Sequence, residues 1–115
     1  MSSITILRST LVAASLLLPA CKGEPLPSDK ADFAGQWRGG GMDLLITADG
    51  GCAYKRVSGG STTEVNGPIK RFDGDDFVVG FLFIETTFDV TVPPTKTPDG
   101  WTMTVDGLEL TRISQ

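Results

Sequence analysis

Five pairs of turn-forming residues divide the chain after residue 48 into short segments. They are Asp49-Gly50, Asn66-Gly67, Asp73-Gly74, Asp99-Gly100 and Asp106-Gly107. Such pairs supply the positive backbone φ angles that tight β-hairpin turns require. No apolar run of helical period and useful length follows Asp32. The sequence therefore predicts an all-β domain.

The segments between these turns alternate apolar and polar residues, as strands with one buried face do. Strands are expected at 34–39, 42–48, 52–57, 61–66, 68–73, 76–84, 86–92, 100–105 and 108–113. The residues expected to face inward are Met42, Leu44, Ile46, Ala48, Phe88, Val90, Val92, Trp101, Met103, Val105, Leu108 and Leu110. Because very short turns join most chain neighbours, we predict a small up-and-down antiparallel β-barrel of eight or nine short strands.

One predicted strand departs from this alternation. Residues 77–84, with the sequence FVVGFLFI, are apolar on both faces. Two explanations are open: the chain's own ends cover the outer face, or that face is a contact surface for a protein partner.

The first 20 residues have the order of a secretory signal. Arg8 supplies a positive charge, residues 11–18 form an apolar run, and Ala20 precedes Cys21. The run is shorter than the roughly 20 residues that a bilayer span needs. The sequence of residues 18–21, LPAC, resembles the bacterial lipoprotein signal. That resemblance implies cleavage after Ala20 and attachment of diacylglycerol and palmitate at Cys21. A signal that is cleaved without lipidation is the alternative.

The predicted organisation is a signal peptide at 1–20, a flexible tether at 21–32 and a β-barrel domain at 33–115. Lys22 follows Cys21, where the enterobacterial pattern for inner-membrane retention has aspartate. The resemblance therefore implies the outer membrane of a Gram-negative cell, with the domain facing the periplasm. Without the lipid, the protein is expected to be periplasmic or secreted.

Composition excludes several classes of function. The formal net charge is −4, which argues against a nucleic-acid surface. The chain has no histidine and so lacks the commonest general base and metal ligand. If Cys21 is acylated, Cys52 has no intramolecular partner and is expected to be a buried apolar residue. A reactive thiol or an intermolecular bridge is the alternative, and a free thiol on Cys21 would allow a Cys21–Cys52 disulfide. The acidic stretch 73–76 lacks the spacing of a calcium loop. We predict no enzyme activity, no cofactor and no metal site.

Gly35-Gln36-Trp37 opens the first predicted strand, and Arg112 lies in the last. This resembles the lipocalin and wider calycin pattern, in which a Gly-x-Trp strand begins the barrel and an arginine from the final strand packs over the indole. The resemblance covers roughly residues 33–113. It implies that Gly35, Trp37 and Arg112 close one end of the barrel. An arginine stacked on an indole contributes ~0.5–2 kcal/mol.

A barrel of about eight strands is just wide enough for its own side chains to fill it. We therefore expect a mostly filled interior with at most a shallow mouth. The residues expected to contact a ligand there are Tyr54, Arg56, Arg71, Phe83 and Trp101. The basic pairs Lys55-Arg56 and Lys70-Arg71 either bind a carboxylate or phosphate group or balance neighbouring acids.

The expected function is that of a lipid-anchored, non-catalytic periplasmic binding protein, lipocalin-like, for a small hydrophobic ligand or an envelope component. The membrane contact is expected to be the lipid at Cys21. The alternative is a protein-binding module that resembles the small periplasmic β-barrel inhibitors of bacterial metalloproteases, which share the Gly-x-Trp start. A pocket above ~300 Å³ favours the carrier. A filled barrel with an uncovered 77–84 face favours the protein partner.

Overall fold

The computed structural model describes residues 23–114, which form a single antiparallel sheet. Its nine strands are β1 (Gly35–Gly39), β2 (Met42–Ile46), β3 (Gly51–Ser58), β4 (Ser61–Asp73), β5 (Asp76–Phe81), β6 (Ile84–Phe88), β7 (Val90–Thr97), β8 (Gly100–Val105) and β9 (Leu108–Ser114). The predicted all-β fold is confirmed. No helix among residues 23–114 is long and apolar enough to cross a membrane.

The strand order in the sheet is β6-β5-β4-β3-β2-β1-β9-β8-β7. Most strands pair with their chain neighbours, and β1 also pairs with β9, so the first and last strands lie side by side. The sheet curls into a half-barrel that is compatible with the predicted up-and-down barrel. Its two edge strands, β6 and β7, are consecutive in the chain and separated only by Asp89. The pairing partner therefore changes at this residue: β6 pairs with β5, and β7 pairs with β8.

Hydrogen bonds join the backbone at Asp89 and Val90 to strand β5 and to the turn between β8 and β9. The Asp89 N–H donates to the Asp106 carboxylate at 2.9 Å, and the Asp106 N–H donates to the Asp89 carbonyl at 2.8 Å. The Val90 N–H donates to the Asp76 carboxylate at 2.7 Å. The negative charge of Asp76 raises the pKa of Asp89, because the two carboxylates repel each other.

The four Asp-Gly pairs lie at turns between strands, as predicted, whereas Asn66-Gly67 does not. These two residues lie inside β4, opposite Ala53 and Cys52 of β3. The predicted strands 61–66 and 68–73 are therefore one strand. Gly67 is buried, and a Cβ there would come within 3.4 Å of the Val79 side chain. This glycine does not form a turn, and its lack of a side chain allows the strands to pack closely.

Two other predicted strand limits were wrong for reasons of pairing. The strand predicted at 76–84 ends at Phe81, because the chain reverses at Leu82 and Phe83 and returns as β6. The segment predicted at 86–92 is divided at Asp89 between two strands.

Pro93 and Pro94 lie within β7, at a register shift between Val92 and Thr95. An edge strand tolerates proline because its outer N–H groups need no strand partner. The strand therefore continues through the two prolines.

The predicted inward-facing residues form most of the core. Of the twelve, eight are buried: Met42, Leu44, Ile46, Phe88, Val90, Met103, Val105 and Leu110. Trp101 and Leu108 are half-buried and pack against them. Ala48 lies beyond the end of β2 and is exposed. Val92 is 43% exposed, since the register of β7 shifts there.

Aromatic rings fill the centre of this core. The rings of Phe77 and Phe88 are stacked, with centroids 5.0 Å apart, and Tyr54 meets Phe88 edge-on at 4.9 Å. Phe33 continues the row, with its ring edge-on to Phe72 at 5.2 Å and to Phe77 at 6.3 Å. Each such contact adds about 0.5–1.5 kcal/mol to the burial of the rings.

Residues 23–33 lie against the sheet. The Gly23 and Leu26 N–H groups donate to the carbonyls of Asp49 and Ala48, both at 3.0 Å. A 3-10 helix, Ser28–Phe33, follows, and the Lys30 ammonium pairs with Asp75 at 3.2 Å. The described part of the predicted tether is therefore held to the domain by backbone hydrogen bonds.

Candidate functional site

An arginine lies between two indoles where β1 pairs with β9. Trp37 is fully buried, and its Nε1–H donates to the Phe33 carbonyl at 3.0 Å. Arg112 lies opposite Trp37 in the ladder between β1 and β9. Its guanidinium carbon is 4.8 Å from the Trp37 ring centroid and 4.7 Å from that of Trp101. Both indoles therefore stack on the same cation.

The guanidinium of Arg112 also donates to the Asp32 carbonyl. Its burial lowers the pKa of Arg112, while the Asp32 charge opposes that shift. Gly35 makes room for the stack. A Cβ there would lie 2.9 Å from the Ser114 carbonyl oxygen and 3.0 Å from Arg112 Nε, and its φ of +139° disfavours other residues. The three residues chosen from the sequence thus pack together, and Trp101 joins them.

The five predicted ligand residues do not converge on one site. Tyr54 is buried against Phe88, and Trp101 stacks on Arg112. Phe83 lies at the β5–β6 turn and is 89% exposed.

The two remaining candidates, Arg56 and Arg71, are far apart. Arg56 is opposite Thr63 of β4, eight residues before Arg71 on that strand. At about 3.3 Å per residue this separates the two arginines by roughly 25 Å. One small anion cannot bridge them, and Arg71 binds Glu85 instead.

Two clefts among residues 23–114 open on the outside of the curled sheet. One, of about 240 Å³, lies on the outer face of β1 to β4 between Gln36, Asp43, Lys55 and Glu64. Another, of about 390 Å³, surrounds the turn Gly39–Met42. Its volume exceeds the ~300 Å³ expected of a small-molecule site, but charged residues and glycines form much of its wall. Both clefts are open to solvent, whereas a carrier cavity encloses its ligand.

Four consecutive apolar residues are exposed at the β5–β6 turn. Phe81, Leu82, Phe83 and Ile84 are 67%, 70%, 89% and 70% exposed, and we call them the apolar tip. Phe77 to Gly80, the first half of the two-sided apolar run, are buried. The run is therefore covered at one end and uncovered at the other. Sequence reasoning identified the run but did not place a turn within it.

One residue of the turn in the apolar tip has an unusual backbone conformation. Phe81 pairs with Ile84, so Leu82 and Phe83 form a two-residue hairpin turn. Leu82 has a φ of +60°, a conformation that glycine adopts readily and that costs other residues about 1–2 kcal/mol. Sites of such strain are often functional, because a residue suited to stability alone would relieve it.

A basic pair lies at the base of the apolar tip. The Lys70 ammonium donates to the Leu82 carbonyl at 3.2 Å and pairs with Glu85 at 3.2 Å. Both Arg71 amino groups donate to Glu85 at 3.4 Å. Hydrogen bonds from Arg71 and then Lys70 lower the pKa of Glu85. The cluster carries a net charge of +1. A cleft of about 240 Å³ separates the apolar tip from Val65 and Asn66 of β4.

The described residues offer little for catalysis. Cys52 is buried, and its desolvation raises the thiol pKa to about 12, so thiolate is scarce at neutral pH. Within residues 23–114 no three of His, Cys, Asp and Glu come together as metal ligands would. The acids of the β4–β5 turn have structural contacts: Asp75 pairs with Lys30, and Asp76 accepts from Val90.

Comparisons with protein-family models, curated proteins and solved structures gave no match for this chain. The lipocalin-like resemblance therefore stays a prediction based on Gly35, Trp37 and Arg112.

Proposed function

We propose that this protein is a non-catalytic binding module of the Gram-negative cell envelope, with a lipocalin-like barrel. A lipid on Cys21 holds it at the outer membrane, and the domain faces the periplasm. Cys21 lies outside the described residues, so the anchor rests on the sequence of residues 1–22. Burial of Cys52 and the lack of histidine support the absence of catalysis.

The module binds an envelope component on its outer surface. One observation carries this choice: aromatic rings occupy the interior, while the apolar tip is left in solvent. A carrier of a small hydrophobic ligand needs an enclosed apolar cavity, which the stacked rings of Phe77 and Phe88 fill. An exposed apolar patch on a small domain typically marks an interaction site.

Native mass spectrometry of the mature protein from its own host tests this choice. We expect the acylated chain without a stoichiometric small ligand. A retained apolar ligand that is also present in a Phe83→Ser variant would assign binding to the interior and overturn the proposal. The matched variant is needed because a ligand held at the apolar tip would be lost on this substitution.

A second candidate function is that of a protease-inhibitor-type module. The observation that favours it is the β5–β6 hairpin, which presents an apolar turn to solvent as an inhibitory loop would. Inhibition of a periplasmic metalloprotease that disappears with Phe83→Ser would support it. Unchanged inhibition in that variant would exclude the apolar tip from the inhibitory contact.

The anchor has its own test. Globomycin treatment or a Cys21→Ala change is expected to alter the membrane fractionation of the protein. Unaltered fractionation would remove the lipid from the proposal and leave the outer-surface binding to be judged separately.

A further inference from the structure

The apolar tip is too small for a stable protein interface on its own. An aromatic side chain covers about 150–250 Å², so four side chains exposed by 67–89% present roughly 550 Å². A standard protein interface buries about 800 Å² on each partner. Basic and acidic side chains, those of Lys70, Arg71 and Glu85, lie directly beside the apolar tip. A protein interface of standard size would therefore have to extend beyond the apolar tip and cover these charged side chains.

Part of the backbone of the apolar tip has hydrogen-bond partners within the domain. Phe81 and Ile84 are paired with each other in the β5–β6 ladder, and the Leu82 carbonyl accepts a hydrogen bond from Lys70. In lipid, each unsatisfied backbone polar group costs several kilocalories per mole, so these partners lower the cost of entry. A lysine at the base of an inserted segment also places its charge at the level of the lipid headgroups.

The start of the described chain lies near the apolar tip. A Cβ on Gly23 would be 2.9 Å from the Pro68 side chain, and Pro68 is two residues from Lys70, whose ammonium reaches the Leu82 carbonyl. Standard bond lengths then place Gly23 within about 22 Å of that carbonyl. Cys21 is two peptide units from Gly23, which is at most about 7.6 Å.

We propose that the apolar tip inserts into the surface of the same bilayer that holds the lipid on Cys21. This inference rests on the anchor of the proposed function and names the envelope component at the apolar tip. The anchor keeps the apolar tip close to the membrane, so that even weak insertion has a high effective concentration. Anchor and hairpin together then fix the orientation of the domain on the membrane.

Photo-crosslinking in the acylated protein tests the contact directly. A photoreactive side chain at position 83 is expected to form lipid adducts in the host membrane. The same group at position 57 is the matched control, because Val57 is an apolar residue of another hairpin and is 51% exposed. A protein adduct in place of lipid at position 83, or equal lipid adducts at both positions, would overturn the proposal.

Flotation with vesicles of phosphatidylethanolamine and phosphatidylglycerol distinguishes membrane binding by the apolar tip from membrane binding by the anchor. The full mature chain with Cys21→Ser, exported by an ordinary secretory signal, is expected to float measurably. Phe83→Ser should reduce its partition coefficient about tenfold, whereas Val57→Ser should change it less than about twofold. No flotation of the Cys21→Ser chain, or an equal loss in both variants, would refute insertion.

Leu82→Gly distinguishes lost insertion from lost folding. Glycine accepts the positive φ of this position, so we expect this variant to be at least as stable as the wild type. It should nevertheless float less, because it removes an apolar side chain. Unchanged flotation would count against insertion. Failure of the anchor alone would appear as a mature chain without acyl mass that still forms lipid adducts at position 83.

Discussion

Replacing Arg112 by methionine tests how much the stacking of this arginine between Trp37 and Trp101 stabilises the domain. Methionine has a similar reach and keeps the apolar contact with Trp37 and Trp101, but it removes the charge that both indoles stack on. It also leaves the Asp32 carbonyl without the donor that it has in the wild type. The rest of the β1–β9 ladder is unchanged.

The magnitude follows from these contacts. A half-exposed cation on an aromatic ring contributes about 0.5–1 kcal/mol, and here there are two rings. The hydrogen bond to Asp32 adds about 1 kcal/mol. The substitution also removes the cost of desolvating the guanidinium, which offsets some of this loss. We expect Arg112→Met to lower the free energy of unfolding by about 2 kcal/mol. For a domain of this size, that corresponds to a Tm lower by about 10 °C.

Urea unfolding followed by tryptophan fluorescence measures the effect, since Trp37 and Trp101 both contact the arginine. Arg38→Met is the matched control. Its ion pair with Asp43, at 2.9 Å, is largely exposed, so its loss should cost less than about 0.5 kcal/mol. Equal losses in the two variants would refute the stacking argument. A double-mutant cycle of Arg112→Met with Trp101→Leu should give a coupling of about 1 kcal/mol, and zero coupling would refute it as well.

Three further predictions concern single positions. Gly35→Ala should destabilise the domain by about 2 kcal/mol or more, because its Cβ would meet the Ser114 carbonyl at 2.9 Å; a thermal melt equal to the wild type would contradict this. Cys52, with a thiol pKa raised to about 12, should resist thiol reagents until the chain unfolds, and rapid labelling of the native protein would contradict its burial. Asp89→Asn should raise the Tm at about pH 7, since it relieves repulsion from Asp76 that exists only above the raised folded-state pKa of Asp89. The gain should be lost as the pH falls through the raised folded-state pKa of Asp89, because its carboxyl then becomes protonated, and a gain independent of pH would exclude repulsion as its cause.

Several local features of the fold could be read from the sequence. Asp-Gly pairs adopt positive φ readily, and the glycines after Asp49, Asp73, Asp99 and Asp106 all have it, so these pairs mark turns correctly. Alternation within a strand fixes which residues share a face, so the inward side chains of β2 and β8 were predicted from residue parity. Both signals are local and depend on a few neighbouring residues.

Pairing partners could not be read in the same way. Asn66-Gly67 has the composition of a turn, yet it lies within a strand, because β3 pairs along the whole first half of β4. Leu82-Phe83 has no turn residue, yet the chain reverses there, because β6 must return alongside β5. In both cases the ladder with a neighbouring strand outweighed the preference of the local residues.

For the candidate site, the sequence by itself determined the residue types: an apolar run at 77–84, a cysteine at position 52, and a tryptophan and an arginine in the first and last strands. Only the tertiary structure decided which half of the run is covered, that a second indole joins the pair, and that Lys70 reaches the Leu82 carbonyl. The physical reason is that burial and hydrogen bonding depend on strands that are distant in the chain. Their register is set by the packing of the whole sheet.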